Sequence, residues 1–173
     1  MSVEMWKSVA STWIDLSNQI NEDDWDKPTG CEVWCIRDLF AHARETAVGA
    51  GNAIGASIND DHDWEGIKNE MAVAMSDPSN LEGVSDAHGG MPKQGVANIA
   101  IGDLLLHTWD LAEALGAKVD LPDDAIDATL SGLKLMPEDT LRRKGMFGPA
   151  LEVSEDASAQ ERLLAFTGRQ PKQ

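Results

Sequence analysis

Basic residues are scarce in this chain. There are 14 Lys and Arg against 30 Asp and Glu in 173 residues, a net charge of −16. Nucleic acids and anionic membranes are held by basic footprints, so neither is expected as a partner. Long apolar runs are missing too. None approaches the roughly 20 residues of a membrane span. The opening MSVEMWKSVASTW lacks the apolar core of a signal peptide and reads as helix, so the expected location is the cytoplasm. Cysteine is limited to Cys31 and Cys35, which is too little for a disulfide framework, and their spacing is not C-x-x-C. Strand signals are weak and confined to Leu151–Val153. There is no H-E-x-x-H motif and no Walker loop, and Ser-His-Asp catalysis has no strand–turn–helix context. A ferritin-like di-iron site needs Glu-x-x-His on two helices, which is also absent.

What remains is a chain with 42% hydrophobic residues, a normal share for one globular domain covering 1–173. Val9, Trp13, Leu16 and Ile20 recur at helical spacing and predict a helix over 2–20. Ile36, Leu39, Phe40, Ala43 and Ala47 predict a second helix from about Ile36 to Gly49, with His42 bordering its apolar face. A third helix is expected from Trp64 to Met75. The glycines and prolines of 76–94 predict a long loop. The central helix is expected from Gly95 to Leu115, stopped by Gly116. Pro122 opens a helix carrying Ile126, Leu130 and Leu133, which Pro137 ends, and a short helical piece is expected over 138–144. Residues 147–154 read as extended. A last short helix spans 157–167, with Asp156 or Ser154 as cap and Gly168 as stop. The pattern is all-α: an antiparallel four-helix bundle with a short extra C-terminal helix.

The chemistry concentrates in Asp103-Leu104-Leu105-Leu106-His107-Thr108-Trp109-Asp110. Four residues apart on a helix, Asp103 and His107 stack one turn above each other and can reach one atom. The leucines between them predict burial, and a buried carboxylate needs a hydrogen bond, a proton or a metal. A helix-internal pair, or groups facing solvent, is the alternative that spacing alone leaves open. A metal would need a third ligand, and His42 is the candidate. Asp110, three residues past His107, is a candidate to orient His42 or His107 from behind, or else forms a salt bridge or a cap. His88, before Gly89-Gly90, is a candidate lid residue or simply solvated, and His62 falls in a loop. Trp6, Trp13, Trp34 and Trp109 are expected in the core, and the two cysteines as small buried apolar residues.

These residues resemble a known family. Cys31-Glu32-Val33-Trp34-Cys35-Ile36-Arg37-Asp38-Leu39-Phe40-Ala41-His42 is similar to the C-x-x-W-x-x-R-D-L-x-x-H segment of the mycothiol-dependent maleylpyruvate isomerase N-terminal domain family, in the DinB-like superfamily. Trp25-Asp26-Lys27-Pro28-Thr29 fits the stretch before it. The segment Asp103–Ala112 looks like that family's second metal segment, and Glu161–Arg169 resembles its D-R-L-L-A-x-x-G-R ending. The resemblance implies a DinB-like bundle with one divalent metal on His42, Asp103 and His107. Zinc is the first choice, with nickel or another ion as alternatives. Asp103 stands where the characterised isomerase has glutamate, and the isomerase's further C-terminal domain has no counterpart here. The implied activity is therefore the broader class: a mycothiol-type thiol, activated by the metal, attacking an electrophilic small molecule in a transferase or isomerase. The alternative is a non-catalytic metal-binding interaction or sensing module. A homodimer is the expected assembly.

Overall fold

The computed structural model describes residues 1–31 and 33–170, so Glu32 of the first motif lies outside the described residues. It is an all-α helical bundle, as the periodicity predicts. Helix α1 (Val3–Ser17) starts where the Ser2 hydroxyl accepts from the Met5 amide, and buries Trp6, Val9, Ala10, Trp13, Ile14 and Leu16. It stops three residues short of the expected end, because Gln19 and Ile20 close turns onto Leu16 and Ser17 instead. Helix α2 (Ile36–Ala53) runs past the expected stop at Gly49. The glycines there serve packing. A Cβ on Gly51 would stand 2.5 Å from Ile58 Cδ1, so the missing side chain lets the following loop fold back and bury Ile58.

Helix α3 (Trp64–Ser76) is capped by Asp63, whose carboxylate accepts from the Gly66 amide at 2.8 Å. The expected loop 76–94 is partly ordered: β1 (Val84–Ser85) and β2 (Met91–Pro92) form a short antiparallel pair. This is the named sheet of the described residues, whereas Leu151–Val153 forms no strand. Helix α4 (Lys93–Leu115) ends at Gly116, whose φ of +68° suits glycine. Helices α5 (Asp123–Lys134), α6 (Glu138–Leu141) and α7 (Ala159–Phe166) follow. The α7 cap is Ser158 rather than Ser154 or Asp156. Its hydroxyl accepts from the Glu161 amide while the Glu161 carboxylate accepts from the Ser158 amide, a reciprocal pair that the earlier residues cannot make.

Helix α4 is the centre of the molecule. It packs on α2 and α1 on one side and on α5 on the other, while α3 closes against α1 and α2, and α7 against α5. Neighbours on several sides explain why Leu104, Leu105, Leu106 and Leu111 are all buried. Each fully buried leucine contributes about 1.5–3 kcal/mol relative to exposure. The polar residues of this helix therefore sit in an apolar setting. No helix among the described residues is long and apolar enough to cross a membrane.

Candidate metal centre

His42 comes from the second turn of α2, and Asp103 and His107 from successive turns of α4, the helix that α2 packs against. His42 Nε2 lies 3.4 Å from Asp103 Oδ1, and His107 Nε2 lies 3.5 Å from the same oxygen. The three donor atoms all fall within 4.8 Å of one another, and the two imidazoles meet at right angles. The other oxygen, Asp103 Oδ2, is buried with no hydrogen-bond partner.

Both contacts are at the long end for an N–H···O bond, whose usual span is about 2.7–3.2 Å. Tetrahedral zinc with bonds of about 2.0–2.2 Å sets its N and O donors about 3.3–3.5 Å apart, which matches both separations. The donor set, two imidazoles and a carboxylate, also suits a divalent metal.

His107 Nδ1 pairs with Asp110 Oδ2 at 2.8 Å, and both side chains are buried. Burial pushes the Asp110 carboxyl up, but the His107 hydrogen bond and the Arg169 charge outweigh it and hold the group well below the usual carboxylate range. An ionised carboxylate only accepts, so Nδ1 of His107 donates to Asp110 and Nε2 is the nitrogen that faces Asp103. The Asp103 hydrogen bond raises the His42 pKa above its ordinary value against the effect of burial, and the charges of Asp103 and Glu45 add to the rise.

Asp110 has more partners than the sequence suggested. Arg169 donates to it through Nε at 2.9 Å and Nη2 at 2.8 Å, and the Cys31 thiol donates to Oδ2 at 3.2 Å. Cys31, His107 and Asp110 form a second cluster with ligand-like spacing, but Arg169 already occupies the carboxylate with a positive charge, which opposes a cation there. Burial first, and then the Asp110 charge, push the Cys31 thiol up to about 12, so it remains a protonated donor. Cys31 is thus a half-buried hydrogen-bonding group rather than an apolar filler. Cys35 is half-buried as well and donates to Asp38 Oδ2.

Trp34 is partly buried and packs against the edge of the core, with its ring 4.7 Å from that of His42 and 5.9 Å from that of His107. The turn that carries it is fixed by Thr29, whose amide and hydroxyl both donate to the Trp34 carbonyl. Trp6, Trp13 and Trp109 are buried as expected. His88 pairs with the Ser85 hydroxyl at 2.9 Å and His62 with Asn59, and neither belongs to the clusters among the described residues. A cleft of about 520 Å³ lies elsewhere, between the 151–157 segment and α7, with Arg169 in its wall.

The fold and this centre define a helical bundle with a candidate histidine–carboxylate metal site. Residues 6–88 match the family model of the mycothiol maleylpyruvate isomerase N-terminal domain, the family that the motifs resemble. The matched stretch contains His42 and ends before Asp103 and His107. The chain is also 24% identical over 180 residues to uncharacterized proteins of Mycobacterium tuberculosis, Rv0738 in strain H37Rv and MT0763 in strain CDC 1551. The alignment covers 89% of this chain and 90% of each relative. No solved structure matches.

Proposed function

We propose that this chain is a DinB-like divalent-metal protein in which His42, Asp103 and His107 are the ligands, and that it activates a low-molecular-weight thiol of the mycothiol type toward an electrophilic small molecule. The observation that carries the reading is the convergence of the three donors around Asp103 Oδ1, beside a buried Asp103 Oδ2 that no protein group bonds. The mycothiol-related family match supports the choice of thiol.

A divalent cation in such a site supplies Lewis acidity, lowering the pKa of a coordinating thiol so that the thiolate forms near neutral pH. The protein's part is preorganisation. Asp110 fixes the His107 tautomer and ring plane, so Nε2 is available without rearrangement. Asp103 supplies the negative charge of the site. The Trp34 ring packs beside the two imidazoles, and its exposed edge is available to the organic part of a ligand. Zinc is the expected ion for a donor set of two nitrogens and one oxygen.

The test is elemental analysis of the purified wild type beside His42→Ala and His107→Ala, followed by a thiol-transfer assay before and after metal stripping. Zinc near one equivalent in the wild type and a sharp loss in both variants is expected. Equal metal in all three would sink the ligand assignment. Metal retained without thiol affinity would replace the catalytic reading with a metal-binding module.

A further inference from the structure

The candidate ligands lie on α2 and α4, yet their support comes from the far end of the chain. After α7, the Gly168 amide bonds the Ala165 carbonyl and the Arg169 amide bonds that of Leu164 at 2.8 Å. Gly168 makes this turn at a φ of +77°, and a Cβ there would stand 2.9 Å from Gly148 Cα and 3.0 Å from the Pro149 carbonyl oxygen. Only glycine fits both the conformation and the close backbone approach. The turn directs Arg169 inward, past the Phe147 ring at 5.9 Å, to grip both oxygens of Asp110. Asp110 in turn holds His107 Nδ1. The path from tail to imidazole is continuous: Arg169, Asp110, His107.

We propose that Arg169 is a positioning residue for the metal centre: by locking the Asp110 carboxylate with a two-point grip, it fixes the His107 ring, and the C-terminal tail becomes part of the centre. The inference rests on the ligand assignment above. The planar guanidinium matters here, since it can donate along two parallel directions to one carboxylate. Without it the carboxylate could rotate about its last bond, and His107 Nδ1 would lose a fixed acceptor. Cys31, on the same oxygen as His107, supplies a third donor that saturates the carboxylate from the α2 side.

The experiment uses the full chain, stripped with a chelator and titrated with Zn²⁺ against a chromophoric competitor. Co²⁺ substitution then reads ligand geometry through the visible absorption bands. The variants are Arg169→Gln and Arg169→Lys. Loss of the partner of a ligating histidine typically weakens metal binding 10–100-fold, so Arg169→Gln, one step further out, is expected near the lower end, about tenfold. Its Co²⁺ bands should move, and Arg169→Lys, with charge but no fork, should recover part of the affinity. A purely structural role would lower thermal stability while leaving Zn²⁺ affinity and the Co²⁺ spectrum unchanged in the folded protein; that result overturns the proposal. If Arg169→Gln does not fold, Arg169→Lys decides: wild-type affinity and spectrum overturn the proposal, and a weaker, shifted site supports it. A wild type that binds neither ion removes the ligand assignment and this inference with it. Wild-type binding alongside an unaffected Arg169→Gln removes the inference alone.

Discussion

Replacing Asp103 should make the metal-free protein more stable, which is the reverse of what losing a native polar contact usually does. Asp103 Oδ2 is buried and unpartnered, and an unsatisfied buried polar atom costs about 1–3 kcal/mol. Leucine branches at the same carbon and removes both oxygens, and it gains up to about 0.7 kcal/mol of helix propensity inside α4. Asp103→Leu should therefore raise the unfolding free energy of the chelator-treated protein by about 1–3 kcal/mol at pH 9. The sign depends on pH through His42. Its folded pKa is raised by Asp103, so the stability from that pairing is fully present below about pH 6.5, the unfolded value, and is lost as pH rises through the folded pKa. The gain from Asp103→Leu should thus be smallest at pH 5.5 and largest at pH 9. Zinc should reverse the ranking: an ion at a hundred times its Kd stabilises the wild type by about 2.7 kcal/mol and does nothing for a variant without the ligand. Urea melts at both pH values, with chelator and with zinc, give all four numbers. An Asp103→Leu protein that is less stable than wild type at pH 9 in chelator would refute the argument, because Asp103 would then be an ordinary structural residue with its needs met.

Three further outcomes are expected. Zinc content measured after dialysis at stepped pH should fall as pH drops below about 6.5, since imidazole must lose its proton to coordinate, and the raised His42 pKa makes proton competition set in above that value. Retention that stays flat into strong acid would exclude a two-histidine site. Gly51→Val should destabilise by about 1–3 kcal/mol through overpacking against Ile58, read as a lower urea midpoint with an unchanged slope. Trp34→Ala should lower the unfolding free energy by about 1–3 kcal/mol, because its partly buried ring packs against the core, and should raise the KM for the thiol or electrophile in the folded protein. A Trp34→Ala protein with unaltered KM would remove Trp34 from the ligand-contact surface.

What the sequence discloses here follows the range of each interaction. Asp103 and His107 were readable as a pair because helical periodicity is local and four residues fix their relation. The buried stripes of α1 and α2 were readable for the same reason, and the boundaries were wrong where tertiary packing overrode local signals. Gly49 and Gly51 look like a helix end until Ile58 is seen to need the space. His42, 61 residues from Asp103, carries no periodic signal linking the two; it is singled out because it borders the apolar face of its own helix while His62 and His88 fall in loops, and the C-x-x-W-x-x-R-D-L-x-x-H resemblance agrees.

The contrast is sharpest at the outer layer. Cys31 reads as apolar by composition, but it acquires a polar role because Asp110, 79 residues on, presents a charged acceptor. Arg169 reads as one more surface charge in a short tail, and its burial becomes intelligible only with the Gly168 turn and the Gly148 backbone beside it. A buried Arg–Asp pair is weak evidence for stability as such, since desolvation offsets much of the attraction. That makes its placement informative: the pair is spent on the one carboxylate that holds a candidate metal-ligating histidine, where orientation matters more than net stabilisation.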